Sequence, residues 1–88
     1  MKYTELQTTI NNLKIKSKKK LVEALNNLLK EEGFKAVERW DKPNSAYVTY
    51  KGETAFYVEG EKWEYLSVVI RSANNHKYKV RHSSKSWD

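Results

Sequence analysis

Residues 17–34 read SKKKLVEALNNLLKEEGF, and this stretch divides the chain into a helical part and a strand-forming part. Its leucines recur at helical spacing, and Val22 and Ala24 widen the apolar face. Ser17 is a favourable N-cap residue because its hydroxyl can accept a hydrogen bond from an amide of the first turn. Gly33 suits a left-handed C-cap, since glycine takes positive φ without a steric penalty. The stretch therefore predicts a helix that starts at Ser17 and ends at Gly33.

A shorter helix is predicted on the N-terminal side, over residues 4–13, with Thr4 as its N-cap. Its narrow apolar face consists of Leu6, Ile10 and Leu13. After Gly33 the period of the apolar residues falls from about 3.6 to 2, which is typical of strands. The predicted strands are residues 34–40, 45–50, 54–59, 62–72 and 76–82.

The connections between these strands are all short, and none is long enough for a parallel crossover. The 88 residues are therefore predicted to form one small domain, residues 1–88, of the α+β class. Two N-terminal helices should pack on one antiparallel sheet of four or five strands in meander order. Residues 83–88 are polar apart from Trp87 and are expected to form a flexible tail, unless Trp87 docks on the core.

Tight turns are predicted at residues 51–52, 60–61 and 74–75, in addition to a turn at 41–44. Two-residue turns at the first three of these positions give a register for the sheet. The face expected to pack on the helices holds Tyr47, Phe56, Val58, Trp63, Tyr65, Val69, Tyr78 and Val80. The opposite, partly exposed face holds Val48, Tyr50, Tyr57, Leu66, Val68, Ile70, Lys77, Lys79 and Arg81. A slip of one residue in any turn would exchange strands between the faces.

The composition excludes several classes of protein. There is no cysteine, so a disulfide scaffold and a thiolate metal site are both ruled out. The longest wholly apolar run is residues 68–70, and the first thirteen residues lack an apolar signal core. Neither a secretion signal nor a membrane span is therefore predicted. We expect a cytoplasmic protein with no membrane partner, no cofactor and no metal site.

The net charge of +6 is divided unevenly along the chain. Residues 1–20 hold six lysines and one glutamate, which gives +5, and residues 71–88 hold five basic residues and one aspartate, which gives +4. Residues 21–70 hold six basic and nine acidic residues, which gives −3. Such a segregation of charge is expected to steer an anionic partner toward the basic regions.

Five of these cations form a candidate anion site: Lys14, Lys16, Lys18, Lys19 and Lys20. Three of them occupy the first turn of the helix behind Ser17, where the free amides and the helix dipole already favour anions. The cluster indicates a DNA or RNA backbone as its partner, and five phosphate contacts on duplex DNA would give a salt slope of about −4.5. The alternative is that these lysines are solvated and only keep the domain soluble.

A second basic segment lies on the last predicted strand, where Lys77, Lys79 and Arg81 alternate onto one face. They are candidate backbone contacts, although cationic residues on an edge strand also prevent aggregation. Candidate aromatic contacts, either for bases or for a protein, are Tyr50, Tyr57 and Trp87.

No catalytic residue is predicted, because the chain has two histidines only, His76 and His82, and lacks the common catalytic motifs. The order of helices before an antiparallel sheet, with basic residues on late strands, resembles small bacterial ribonuclease toxins of the RelE-like type. That resemblance implies that Lys79, Arg81, His82 and Tyr78 would orient phosphate or transfer protons. Fold analogy does not by itself establish function, so the leading interpretation stays a non-enzymatic binding protein.

A protein-interaction module is the principal alternative to a nucleic-acid-binding protein. This alternative includes an inhibitor from a phage or mobile element that occupies a host nucleic-acid-processing protein. The acidic middle of the chain would then contact a basic groove of the host protein, with exposed aromatic residues as anchors. An exposed last edge of the sheet would also permit a homodimer by strand addition.

Overall fold

The computed structural model of the chain describes residues 3–72. It contains two helices, α1 (Tyr3–Asn12) and α2 (Lys18–Leu29), and a 3-10 turn at Lys30–Glu32. Four strands follow: β1 (Phe34–Glu38), β2 (Ala46–Tyr50), β3 (Glu53–Lys62) and β4 (Leu66–Ser72). They form one antiparallel sheet in the order β1-β2-β3-β4. The predicted α+β class with a meander sheet is confirmed, with four strands in the described part of the chain.

The ends of the second helix follow the sequence prediction closely. The Ser17 hydroxyl accepts a hydrogen bond from the Lys20 amide at 3.3 Å, as an N-cap does. Gly33 has a φ of +88° and closes the 3-10 turn that extends α2. The prediction for the first helix was wrong at both ends. Tyr3 already lies within α1, so Thr4 is not its N-cap, and Leu13 lies beyond its end with half of its surface exposed.

The hydrophobic core lies between the two helices and one face of the sheet. The helices contribute leucine and isoleucine side chains at helical spacing, and the strands contribute every second residue. Phe56 is at its centre, fully buried, with its ring 5.1 Å from that of Tyr3 and 5.8 Å from that of Phe34. The largest fully buried apolar side chains are Phe56, Leu6, Ile10, Leu21, Leu25, Leu29, Leu66, Val48, Val58 and Val68.

The predicted register was wrong for two of the strands. Val48 pairs with Phe56 but Thr49 pairs with Thr54, so Ala55 is an extra residue in β3. Such a bulge shifts the alternation of the strand by one residue. Val48 therefore shares the helix-covered inner face with Phe56, while its neighbours Tyr47 and Thr49 lie on the outer face, which neither α1 nor α2 covers.

The predicted turn at residues 60–61 was also wrong. Strand β3 continues to Lys62, which pairs with Leu66, so the turn consists of residues 63–65. Gly60 lies within the strand, paired with Val68, and glycine is needed there because an added Cβ would clash with the Asn44 carbonyl oxygen. The shifted turn puts Leu66 and Val68 in the core. Trp63 and Val69, which were predicted to pack on the helices, are exposed.

Helix α1 covers the outer edge of β4 with two amide side chains. The Asn11 side chain accepts from the Val68 amide at 2.8 Å and donates to the Val68 carbonyl at 3.4 Å. The Gln7 side chain accepts from the Ile70 amide at 3.1 Å. These contacts satisfy backbone groups that an edge strand otherwise presents to solvent or to another strand.

Helix α2 covers the edge of β1 with an amide side chain in the same way. Asn26 accepts from the Ala36 amide at 2.8 Å and donates to the Ala36 carbonyl at 3.1 Å. A strand that added at Ala36, Val68 or Ile70 would have to displace these amide side chains. A homodimer by strand addition stays a prediction for the proposed strand at residues 76–82, which lies outside the described residues.

The rest of the C-terminal predictions also fall beyond residue 72. They concern the basic contacts Lys77, Lys79 and Arg81, the aromatic contact Trp87 and the tail at 83–88. Neither α1 nor α2 combines the length and the apolar character that a helix needs to cross a bilayer.

Candidate nucleic-acid interface

Three connections meet at one end of the molecule, which we call the loop end: residues 13–17, 39–45 and 63–65. The α1–α2 connection is attached to the sheet on both sides. The Leu66 amide donates to the Ile15 carbonyl at 2.7 Å, and the Lys18 ammonium donates to the Arg39 carbonyl at 2.8 Å. The α1–α2 connection and the start of α2 are therefore attached to the first residue of β4 and to the segment that follows β1.

Two lysines of this connection share one aromatic ring. The Lys14 Nζ lies 5.2 Å and the Lys16 Nζ 5.3 Å from the centre of the Tyr65 ring. A cation at this distance over an aromatic face is attracted by the electrons of the ring. Lys14 also has a φ of +53°, in the left-handed region, which reverses the chain just after α1. The turn at 63–65 thus brings both ammonium groups to one aromatic ring.

The five lysines of the predicted cluster do not form one patch. Lys14, Lys16 and Lys20 line a shallow groove of about 440 Å³ beside the exposed Leu13, and Glu23 also belongs to its lining. Lys18 points to the Arg39 carbonyl instead, and Lys19 is exposed. The structure therefore brings three of the five predicted residues together.

The charge around the start of α2 agrees with the sequence argument. No acidic residue lies in the first turn of the helix, and Lys18, Lys19 and Lys20 occupy it. Lys20 is paired with Glu23, whose carboxylate is 3.7 Å from the Lys20 Nζ in an exposed pair. An exposed pair of this kind contributes little, because water screens both charges. The first turn remains a region of positive potential.

Two aromatic residues at the loop end were missed as candidates for contacts. Trp63, with 76% of its surface exposed, and the half-buried Tyr65 belong to the turn after β3. The sequence interpretation had placed both against the helices. The alternation of Leu66, Val68 and Ile70 is the signal that could have found them, because an apolar alternation starting at Leu66 leaves the preceding residues free to form the turn.

The two described aromatic candidates lie on opposite faces of the sheet, not on one face as predicted. Tyr50 packs at the border of the core, 5.1 Å from the Phe34 ring, with the Lys51 Nζ 5.5 Å from its own ring centre. Tyr57 is on the outer face, where the Arg39 guanidinium lies 4.8 Å from its ring centre. The two tyrosines therefore do not form a common stacking surface.

A network of ion pairs crosses the outer face around Arg39 and Glu59. The Arg39 side chain, only 14% exposed, contacts Asp41 at 2.8 Å and Glu59 at 3.3 Å. Glu59 in turn contacts Arg71 at 2.8 Å and Lys42 at 3.6 Å. Each of these three cations already has a carboxylate, whereas in the groove, within residues 3–72, Lys20 is paired with Glu23 and Lys14 and Lys16 have no carboxylate partner. The outer face therefore offers less to an anionic ligand than Lys14 and Lys16 do.

The pKa values in this network shift in the directions that such pairing requires. The hydrogen bonds between Arg39 and Asp41 raise the pKa of the guanidinium and lower the pKa of the carboxyl group. Burial alone raises the pKa of Glu59, but the hydrogen bond from Arg71 and the charge of Lys42 outweigh it and leave the pKa lowered. Burial and the adjacent Asp41 raise the pKa of Tyr47. At neutral pH both carboxylates are therefore ionised and paired.

Metal chemistry finds no support in the part of the chain that the structure describes. Within residues 3–72, no group of three histidine, cysteine, aspartate or glutamate side chains is placed to hold a metal ion. The chain matches no protein-family model, no curated protein and no solved structure.

Proposed function

We propose that this protein is a small non-enzymatic binding protein that recognises a DNA or RNA backbone through the lysine groove at the loop end. The observation that carries the proposal is the position of Lys14 and Lys16, both held over the Tyr65 ring. Within residues 3–72 neither lysine is paired with a carboxylate, in contrast to Arg39 and Arg71. Their charges are available to an anion. The cysteine-free sequence supports action in a reducing cytoplasm.

The geometry suits a phosphate chain better than a single small anion. Lys14, Lys16 and Lys20 line an open groove of about 440 Å³, so a polymer can pass along it while several phosphates are contacted. Lysine contacts to phosphates supply affinity without reading the base sequence. The Tyr65 ring reduces the freedom of the two lysine side chains before binding, which lowers the entropy lost when a phosphate is bound.

Salt dependence gives a quantitative test of the proposed function. Three phosphate contacts predict a slope of log affinity against log salt of about −2.7 on duplex DNA, or about −2.1 on a single strand. Fluorescence anisotropy of labelled oligonucleotides across a range of salt concentrations measures this slope. Binding that is insensitive to salt, or no binding at low salt, would contradict the proposal.

A matched pair of triple variants separates the groove from the overall charge of the protein. The site variant carries Lys14→Ala, Lys16→Ala and Lys20→Ala. The control carries Lys30→Ala, Lys35→Ala and Lys51→Ala and so loses the same net charge. Lys51 is a suitable match for Lys14, since both have a φ just above +50°. The site variant should lose most of the affinity and most of the salt slope, whereas equal losses in both variants would assign the binding to net charge alone.

A second candidate function is supported by the outer face of the sheet, where Val37 and Val69 are exposed and are covered by neither α1 nor α2. Exposed apolar side chains beside charged residues are a common feature of protein-binding surfaces. In this alternative the protein binds a host nucleic-acid-processing protein, as an interaction module or an inhibitor. Affinity purification with and without nuclease distinguishes the two functions. A partner that remains after nuclease treatment favours the alternative, and a partner recovered only through nucleic acid favours the first proposal.

A further inference from the structure

The turn at residues 63–65 presents a large aromatic side chain to solvent without using it in the core. Trp63 has 76% of its surface exposed, although tryptophan buries more apolar area than most residues when it is packed. The turn itself is fixed, because the Trp63 amide donates to the Tyr65 carbonyl at 3.1 Å and the Leu66 amide donates to the Ile15 carbonyl at 2.7 Å. Trp63 is thus an exposed aromatic residue on a well-anchored turn.

A shallow hollow lies beside this indole. It has a volume of about 330 Å³ and is lined by Trp63, Glu64, Tyr65, Ser67 and Asn11, among others. That volume is at the lower end of the range of ligand pockets, roughly 300–1,000 Å³, and the hollow is open to solvent. The Asn11 side chain is held by its hydrogen bonds to Val68, so this wall of the hollow is rigid.

The charged residues around the turn favour different parts of a nucleotide at different positions. Glu64, in the hollow, repels a phosphate but can accept a hydrogen bond from an amino group of a base. Lys14 and Lys16, over the Tyr65 ring, attract a phosphate. A base at Trp63 and Glu64 and a backbone phosphate at Lys14 and Lys16 would therefore contact different groups of the loop end.

We infer that the loop end binds single-stranded nucleic acid, with one unstacked base on the Trp63 ring and the neighbouring phosphates on Lys14 and Lys16. This inference rests on the proposed function, since it concerns the same lysines. Cationic side chains that contact the backbone, combined with aromatic rings on which bases stack, are the means by which single strands are bound without sequence preference. A regular duplex keeps its bases stacked, so Trp63 could reach a base face only at the cost of unstacking.

Fluorescence of Trp63 tests the stacking directly. The full-length variant Trp40→Phe, Trp87→Phe retains Trp63 as its one tryptophan. It is titrated with a twelve-residue oligothymidylate, with a duplex of equal length, and with inorganic polyphosphate. The single strand should quench the fluorescence strongly, and the duplex and the polyphosphate should quench it weakly. Equal quenching by all three ligands, or stronger quenching by the duplex, would overturn the inference.

Substitution of Trp63 provides the second measurement, with Trp40 as its control. Trp40 is also highly exposed, at 86%, and lies in the 39–45 connection of the loop end, but it is not among the residues that line the hollow beside Trp63. Trp63→Ala should weaken single-strand binding about tenfold, Trp63→Phe should restore most of the loss, and Trp40→Ala should leave the affinity unchanged. The affinity for the duplex should change less than twofold in all three variants.

The two proposals fail in distinguishable ways. If Trp63→Ala binds single strands as well as the unmodified protein does while the triple lysine variant does not, the stacking site is wrong and the proposed function stands. If the unmodified protein binds neither single strands nor duplex at low salt, the proposed function falls and the stacking site falls with it. The thermal midpoint of Trp63→Ala shows whether the variant is folded.

Discussion

The two faces of the sheet are made by the same strands but are stabilised by different interactions. On the inner face, Phe56 and Val58 are fully buried against the helices. On the outer face, the adjacent Tyr57 packs on Arg39, which is tied to Asp41 and Glu59. Burial of apolar area contributes far more than partly exposed ion pairs do. The stability of the fold should therefore depend mainly on the inner face. Substitutions at the loop end and on the outer face should cost less stability.

The largest difference is expected between two neighbouring residues of β3. Phe56→Ala should lower the free energy of unfolding by about 3–5 kcal/mol, because it removes a fully buried ring and leaves a cavity. Tyr57→Ala, on the opposite face, should cost about 1 kcal/mol, through the loss of its contacts with Arg39 and Tyr47. Urea denaturation of both variants measures the two values, and equal losses would show that the faces do not differ in this way.

The second prediction concerns the edge of the sheet at β1, where Asn26 of α2 binds the backbone of Ala36. Asn26→Ala removes both hydrogen bonds to Ala36 and should lower the free energy of unfolding by about 1–3 kcal/mol, since it leaves a backbone amide and a carbonyl without their partner. The neighbouring Asn27→Ala is the control and should change the free energy by less than about 0.5 kcal/mol, because Asn27 is exposed. A similar small change in both variants would show that solvent satisfies the Ala36 groups equally well.

Whether the sequence could predict a structural feature depends on whether the residues that cause it are close together in the chain. Helix α2, its Ser17 cap and its Gly33 end depend on residues that are close in the chain, and the spacing of the leucines identified them. Gly60 was wrongly predicted to form a turn, because the residue that requires a glycine at this position is distant in sequence. It is needed where the Asn44 carbonyl crosses β3, yet a glycine in a strand pattern also signals a turn.

The division of the lysines also depends on distant residues. The spacing of Lys14 to Lys20 shows a cluster, but the acceptor of Lys18 is the Arg39 carbonyl, and the ring beneath Lys14 and Lys16 belongs to Tyr65. Neither partner follows from a local pattern. The bulge at Ala55 is a similar case, since it appears only in the pairing of β3 with β2. The elements could thus be predicted, but the faces of β2 and β4 and the partners of the lysines could not.

The outer ion pairs give the third prediction, which concerns pH. The lowered pKa of Glu59 means that its ionised form stabilises the folded state above its ordinary value of 4.5, and that this contribution is lost as the pH falls through the folded-state pKa. Glu59→Gln should therefore cost about 1 kcal/mol or less at neutral pH and should reduce the loss of stability on acidification. Thermal melts between pH 3 and pH 7 measure this, with the exposed Glu61→Gln as control.

The smallest effect on stability is expected at the residues proposed to bind nucleic acid. Lys14→Ala and Lys16→Ala together should change the free energy of unfolding by less than about 0.5 kcal/mol, because both side chains are exposed and cation–π contacts at exposed sites are weak. The same double variant should lose most of its affinity for oligonucleotides. A large loss of stability would instead assign these lysines to the attachment of the α1–α2 connection, since Tyr65 would then act as its anchor. If the inner face supplies most of the stability, the lysines at the loop end can be replaced without unfolding the protein.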